Sequence, residues 1–312
     1  MIDLRRLRLL RELEARGTIT AVAHALHFTP SAVSQQFARL ERETGVMLLE
    51  PIGRSVRLTD AGRLLAGHAE RILGAVDAAE ADLEAQAGAV QGSLRVGTFQ
   101  TAALALITPA LERLARTYPA LEVHVVEADM EETFPELRVG ELDLVCEDEY
   151  KAAPSADPLL HREDLFTDRL RLVLPRQDPL AAAPKVRFAD LSDQPWATGP
   201  AGGEYARAVE SACRERGGFE PRVLHRASDL MFLLSLVRVG RAVALLPDLL
   251  GAEHDQRVAV RSIVGGDPSR TIYTVVRASS ARRPSILALR QALTDVAAVG
   301  APALGPRAAM PA

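Results

Sequence analysis

Residues 59–88, TDAGRLLAGHAERILGAVDAAEADLEAQAG, contain no proline and set Leu65, Ala69, Ile72, Val76, Ala79 and Leu83 alternately four and three positions apart. That alternation holds one apolar stripe on a single side of an α-helix, the pattern of a coiled-coil seam. At 1.5 Å per residue such a helix spans about 42 Å, too long to be covered by one small domain. It is expected to join two bodies and to pair with a second copy of itself through Leu65, Ile72, Val76 and Leu83. The 312 residues then divide into a head of 1–58, a linker helix of 59–90 and a larger body of 91–297. Residues 298–312 are left as a tail. From Gly300 it mixes Gly, Pro and Ala without periodicity and is expected to be disordered.

The head is small and mildly basic. Residues 1–59 hold nine Arg against six acids, although the whole chain carries a formal net charge of −4. A basic head on an acidic body suits contact with nucleic acid through the head alone. Leu4, Leu7, Leu10 and Leu13 mark a first helix, which Gly17 stops. Thr18 caps a second, with Val22, Ala23 and Leu26 inward. After a turn at His27 and Phe28, Thr29 caps a third helix and Pro30 takes its first position, where a missing N–H costs nothing. LLEPIGRSVRLT then supplies two extended runs about Gly53 and Arg54, a β-hairpin wing.

The body has a different texture. Six candidate strands (93–99, 121–128, 141–147, 169–175, 242–247 and 271–277) alternate with helical patterns such as Leu104, Ile107, Leu111, Leu114 and Tyr118. That order implies an α/β fold with mostly parallel sheets joined by βαβ crossovers. With 48% hydrophobic residues there is material for a core, and no run reaches the about 18 apolar residues of a membrane span. The first residues are charged throughout and do not read as a signal peptide. The two cysteines, Cys146 and Cys213, offer neither a disulfide framework nor metal-ligand spacing, so reduced structural thiols in a cytoplasmic protein are expected.

The segment TPSAVSQQFARLE (29–41) decides between uses. On a helical wheel Val33, Phe37 and Leu40 form one stripe, and Ser31, Gln35, Ala38, Arg39 and Arg42 lie opposite. A small, polar first turn lets a helix enter the major groove closely. Gln35 there suits an adenine edge, Arg39 a guanine or a phosphate, and the serines a phosphate or either base. The stretch from Gly17 to Leu65, with its Gly-Thr opening, SAVSQQFARLE, TGVMLLE and GRSVRLTDAG, resembles the winged helix-turn-helix of the LysR-type transcriptional regulators. The likeness continues through LRVGTFQTAALALITPALERLARTYPALEV, GELDLV, LRLVLPRQDPLA, DLSDQPW and LVRVGRAVALLP, in the order of that family's effector-binding domain. One departure is Pro51, which stands where the family usually carries an arginine and so leaves the wing's electrostatic contacts to Arg54 and Arg57.

The resemblance implies a sequence-specific regulator of transcription, not an enzyme. An all-α-type winged helix-turn-helix head would bind duplex promoter DNA through Thr18, Thr29, Pro30, Ser31, Ser34, Gln35, Gln36, Arg39, Arg54 and Arg57. The linker helix would dimerise, and dimers would assemble into a homotetramer. The body would be periplasmic-binding-protein-like, with two α/β lobes: lobe one about 93–164 and 268–297, lobe two about 165–267. A small-molecule effector, an amino acid or small organic acid, is expected between them, where strand ends meet helix N-termini. Its expected contacts are Thr98, Gln100, Thr101, Thr198, Gly202 and Gly203, with Phe99 and Leu246 as apolar walls. Glu147, Asp148, Glu149 and Glu204 are acids near the lining, and an ammonium-bearing effector follows if one of them faces the cleft. Asp229 is a further pocket candidate or simply an acid favoured by a helix N-terminus. Binding would alter DNA bending and RNA polymerase access, without cofactor, metal or membrane.

Two other classes fit less well. An enzyme would need a phosphate loop, a nucleophile elbow, metal spacing or a paired histidine and cysteine, and the seven histidines are scattered over unrelated segments. A transporter's solute-binding protein would share the body's fold, but it has no use for a DNA-reading head.

Overall fold

Local capping signals build the head. α1 (Leu4–Arg16) starts at Asp3, whose carboxylate accepts from the Arg5 N–H at 2.8 Å, and stops at Gly17, whose φ of 78° glycine adopts without strain. α2 (Ile19–Ala25) and α3 (Pro30–Thr44) are capped by Thr18 and Thr29, each hydroxyl accepting from the backbone N–H three residues on. β1 (Leu49–Ile52) and β2 (Ser55–Leu58) pair antiparallel, Leu49 opposite Leu58, as the expected wing. Leu10, Leu13, Val22, Phe37, Leu40, Leu48 and Leu58 close one core between them. The computed structural model describes residues 2–26, 28–53, 55–86, 90–128, 130–150, 157 and 159–299. The expected turn residue His27, the wing residue Arg54 and the tail from Gly300 lie outside them.

α4 (Asp60–Gln86) is the long helix, 27 residues. It leaves the wing in backbone contact: a Cβ on Gly62 would stand 2.2 Å from the Leu48 carbonyl oxygen. Ala66, Ala69, Leu73 and Asp77 are buried within the chain, on the side where α4 meets α1 and the body. Ala69, expected on the outer seam, therefore belongs to the covered face. Leu65 and Val76 are half-buried, whereas Ile72 and Leu83 are exposed, Leu83 at 71%.

In chain order the body comprises β3 (Gly92–Thr98), α5 (Gln100–Ala102), a π-turn Ala103–Ile107, α6 (Thr108–Thr117), β4 (Leu121–Glu127), α7 (Met130–Val139) and β5 (Leu144–Glu149). Then follow β6 (Leu160–Pro175), β7 (Lys185–Val186), β8 (Pro195–Thr198), α8 (Glu204–Ala212), β9 (Arg222–Arg226), α9 (Leu230–Arg238), β10 (Ala244–Pro247), β11 (Val258–Ile263), β12 (Ser269–Arg277) and α10 (Pro284–Val299). The main sheet runs β4-β3-β5-β12-β6-β11-β7, with β10 also on β6. β6 crosses between lobes: residues 160–169 pair with β12, and residues 170–175 pair with β10 and β11. β12 brings the chain back. Leu94, Val96, Leu106, Leu144, Ile286 and Leu293 fill lobe one. Leu170, Leu172, Trp196, Val209 and Leu245 fill lobe two, beside a cluster of Leu233, Leu234, Val237 and Leu246 under α9.

Two expectations need correcting. β3 is parallel to β4 and β5, but β12 is antiparallel to β5 and β6, and β10 and β11 are antiparallel to β6. The sheet is mixed because β6 and β12 cross between the lobes in opposite directions and pair along that crossing. In addition, Ala298 and Val299 continue α10 and do not begin a tail. Among the described residues no helix is long and apolar enough to cross a membrane.

Candidate functional site

The outer face of α3 is the first candidate surface. Val33, Phe37 and Leu40 are buried as the wheel predicts, and Ser31, Ser34, Gln35 and Arg39 are exposed. Thr29 and Ser31 share a 3.0 Å hydroxyl contact, and the Ser34 hydroxyl donates to the Pro30 carbonyl at 2.8 Å, so the polar first turn is internally held. Gln35 and Arg39 side chains make no hydrogen bond or ion pair among the described residues, leaving their donors and acceptors available. Gln36 differs. Its Oε1 accepts from Arg6 Nε at 3.2 Å, while Arg6 also pairs with Glu43 at 2.6 Å, so Gln36 braces α3 against α1. The wing is fixed to α3 by Glu41, whose Oε1 accepts from the Leu48 and Leu49 N–H groups at 2.8 and 3.1 Å. Pro51 sits in the hairpin opposite Val56, and Arg57 pairs with Glu50 on the facing strand.

A cavity of about 790 Å³ opens between the lobes. Lobe one contributes Phe99, Gln100, Thr101, Glu127, Ala128, Glu132, Glu147, Asp148 and Tyr150; lobe two contributes Gly199, Pro200, Gly203, Glu204, Tyr205, Ala206 and the run from Ala227 to Leu230; Arg270 enters from the returning strand. Of the expected contacts, Phe99, Gln100, Thr101, Glu147, Gly203 and Asp229 come together here. Thr98, Thr198, Gly202 and Leu246 do not line it. Thr98 and Thr198 are fully buried strand-end residues, one position before lining residues, and alternation turns them inward. Leu246 packs in the lobe-two core, and Gly202, at φ 81°, makes the bend that presents Gly203. Glu149 lies outside the lining and pairs with Arg162 at 2.9 Å.

Gln100 bridges the lobes across this space. Its Oε1 accepts from the Leu230 N–H at 3.2 Å, while Asp229 accepts from the N–H groups of Met231 and Phe232. Lobe one thus supplies part of the N-cap of lobe two's α9. The hydrogen bond between Gln100 and Asp229, with the two backbone donors, holds the Asp229 carboxyl below the usual range despite slight burial.

Behind the cavity lies a charge network that the sequence did not announce. Arg270, 3% exposed, donates from Nε to Asp168 at 2.9 Å, from Nη1 to Asp148 at 2.6 Å and from Nη2 to Thr101 Oγ1 at 2.9 Å. The Tyr150 hydroxyl accepts a longer bond of 3.4 Å from Nη1. Asp168 and Arg270 are register partners on β6 and β12, at the point where both strands pass between lobes. Burial raises the Asp168 carboxyl above its ordinary range, against the pull of Arg270 and the Leu249 N–H.

The other end of β12 holds the linker helix. Arg277 lies 3.5 Å from Asp77 of α4 and donates to the Leu137 and Leu142 carbonyls. Glu84 accepts from Arg283 and from the Ser285 hydroxyl, at 2.5 and 2.7 Å. The head touches the same lobe: Arg11 donates to the Arg138 carbonyl at 2.8 Å, and Arg8 lies so close to Gly140 that a Cβ there would stand 2.8 Å from its guanidinium carbon. Burial pushes both thiols up, Cys213 to about 12, so neither supplies a thiolate at neutral pH.

A winged helix-turn-helix, a long joining helix and a two-lobed body with an interlobe cavity define a DNA-binding regulator that responds to a small molecule. Residues 4–63 match the bacterial regulatory helix-turn-helix protein, lysR family, and residues 87–298 match the LysR substrate binding domain. The chain belongs to the LysR family of bacterial transcriptional regulators. It is 27% identical over 260 residues to the transcriptional dual regulator GltC of Bacillus subtilis, covering 83% of this chain and 85% of that one. To the HTH-type transcriptional regulator MetR of Escherichia coli it is 28% identical over 286 residues, covering 91% and 87%. A full-length OxyR variant from Pseudomonas aeruginosa shares the fold at a TM-score of 0.63 and 24% identity, with 94% and 95% covered. CbnR in complex with its target DNA does so at 0.56 and 22%, with 95% and 99% covered.

Proposed function

We propose that the head docks α3 in the major groove of promoter DNA, and that an effector in the interlobe cavity changes the spacing of two such heads. One observation carries the link between the two sites. β12 presents Arg270 to the cavity wall at one end and Arg277 to the linker helix at the other, about 23 Å away at strand spacing. A ligand that alters the Gln100–Leu230 contact shifts lobe two against lobe one, and lobe one is bonded to α4 through Asp77 and Glu84. Lobes joined by two crossing strands hinge at little local cost. The coupling required is about 1–3 kcal/mol, and by reciprocity operator DNA changes effector affinity by the same factor.

Base contacts are assigned to Gln35 and Arg39. Thr29, Pro30, Ser31 and Ser34 form the close-approaching first turn, Thr18 and Arg57 flank it, and Arg54, outside the described residues, is assigned a phosphate contact. Gln36 acts as a brace and not as a reader. The effector contacts are Phe99, Gln100, Thr101, Glu147, Gly203 and Asp229. The working assembly is a dimer through α4 that pairs into a tetramer in the cytoplasm, controlling RNA polymerase access.

The test is operator binding, with the site selected from random duplexes by the purified protein. Arg39→Ala and Gln35→Ala are each expected to weaken the selected site by about 1–3 kcal/mol and to relax preference at one base pair. Arg54→Ala is expected to weaken all duplexes alike and to lower the salt slope by about 1. Parental binding by Arg39→Ala and Gln35→Ala would refute the docking.

A further inference from the structure

We propose that the interlobe cavity takes an organic cation, an aliphatic ligand bearing one or more ammonium groups. This rests on the reading of the cavity as the effector site and names the ligand class for it. Six carboxylates line the cavity against one cation, Arg270, among the described lining residues. That cation is not free to hold an anion. Its three nitrogens are spent on Asp168, Asp148 and Thr101, and two carboxylates at 2.6 and 2.8 Å more than match its charge.

The carboxylates are committed to different degrees. Asp148 belongs to the Arg270 network, and Asp229 caps α9. Glu147 is buried and accepts from the Thr133 hydroxyl at 3.0 Å. The side chains of Glu127 and Glu132 make no hydrogen bond or ion pair among the described residues, and Glu204 has only a 4.0 Å approach from Arg207. Among the described residues, Glu127 and Glu132 of lobe one therefore face the space without a neutralising partner, and Glu204 of lobe two adds its charge with only the long Arg207 contact. An anionic ligand would be stripped of water against them, whereas an ammonium group gains their field.

The apolar part of the wall agrees with that choice. Phe99, Tyr150 and Tyr205 line the same space, with the Tyr150 and Tyr205 ring centroids 6.0 Å apart. Aromatic faces attract ammonium groups and stack on alkyl chains. A metal ion fits less well, since among the described residues no three His, Cys, Asp or Glu converge closely enough to hold one. The arrangement suits a charge spread along an organic chain.

Titration calorimetry on the full chain, with cadaverine, lysine and glutarate at low salt, tests the proposal. Cadaverine or lysine is expected to bind at least about tenfold tighter than glutarate, and added salt is expected to weaken it. The Glu127→Gln/Glu132→Gln pair is expected to weaken the cation by at least about tenfold, and Ser228→Trp, which fills the cavity from an exposed position, to abolish it. Glutarate binding as tightly as either cation, or neither cation binding at about 10 mM, overturns the proposal. If glutarate binding is itself lost in Ser228→Trp, the cavity remains the effector site with the opposite ligand charge. Cation binding that survives Ser228→Trp overturns both readings, because the cation then sits elsewhere.

Discussion

Arg270→Met is expected to lower the unfolding free energy by about 3–5 kcal/mol, the usual cost of removing one partner from a buried ion pair. The side chains of Arg270 and Asp168 are 2% and 1% exposed, so water does not replace the lost partner. Methionine keeps much of the volume and none of the five donors. Among the described residues Asp168 then keeps the Leu249 N–H alone, and Asp148 and Thr101 lose their bonds to the guanidinium. The loss is expected to depend on pH with a definite sign. Burial already raises the Asp168 carboxyl above its unfolded value, and without Arg270 it rises further. A native state that binds more protons than the unfolded one loses stability as pH increases through that window. Urea unfolding of the variant at about pH 5.5 and about pH 7.5 is therefore expected to show the smaller deficit at the lower pH. Adding Asp168→Asn is expected to recover part of the loss, since it removes the stranded charge. A deficit below about 1 kcal/mol at both pH values would mean that the crossing strands do not depend on this network.

The sequence announces elements whose signals are local and hides those whose partners are distant. α3 is legible because Thr29, Pro30 and the Val33, Phe37, Leu40 stripe fall within one helix and need no tertiary knowledge. The wing and the long helix are legible for the same reason. β6 is seen only in its second half. Its first half, LHREDLFTDR, is partly solvated and sets the polar runs His161–Asp164 and Thr167–Arg169 around Leu165 and Phe166, so it shows neither an apolar run nor an alternation. β8, β9 and β11 are missed because, unlike the equally short β10 with its apolar run, they mix polar and apolar residues over only four to six positions. The antiparallel pairing of β12 follows from a chain path that no single segment encodes.

The cavity divides in the same way. Gln100, Thr101 and Gly203 are found because a strand followed by a helix start is a local signal. Arg270 is missed. In SRTIYTVV it reads as a solvated strand end, while its partners Asp168, Asp148 and Thr101 lie 102, 122 and 169 positions away. Tyr150 and Tyr205 are passed over because they gain meaning only when the two lobes face each other. Thr198 and Leu246 fall outside the cavity lining for a simpler reason. Being near a strand's carboxyl end does not say which face of the sheet a side chain takes, and one residue's difference reverses it.

Ile72→Asp combined with Leu83→Asp is expected to yield monomers and to weaken operator binding by about 10²–10⁴-fold, the gain that linkage of two binding heads supplies. α4 has two apolar faces one residue apart, about 100° round the helix. Ala66, Leu73 and Asp77 are buried on one of them, where Glu84 also bonds Arg283 of lobe one. Each is preceded by a residue of the other: Leu65, Ile72, Val76 and Leu83. On that second face Leu83 is 71% exposed and Ile72 37%, an apolar strip that one chain leaves in water. In the proposed dimer a second copy covers it, and the shared helix then reports lobe-one movements to both heads. Aspartate on that strip buries a charge at the helix pair without touching the intramolecular face, so circular dichroism of the variant is expected to match the parent. Leu73→Ala is the converse: it is expected to cost about 2–5 kcal/mol of stability through a cavity on the covered face while leaving the dimer intact. Sedimentation at micromolar concentration separates the two. A Ile72→Asp/Leu83→Asp protein that still sediments as a dimer would move the interface off α4, and with it the route by which cavity and DNA are coupled.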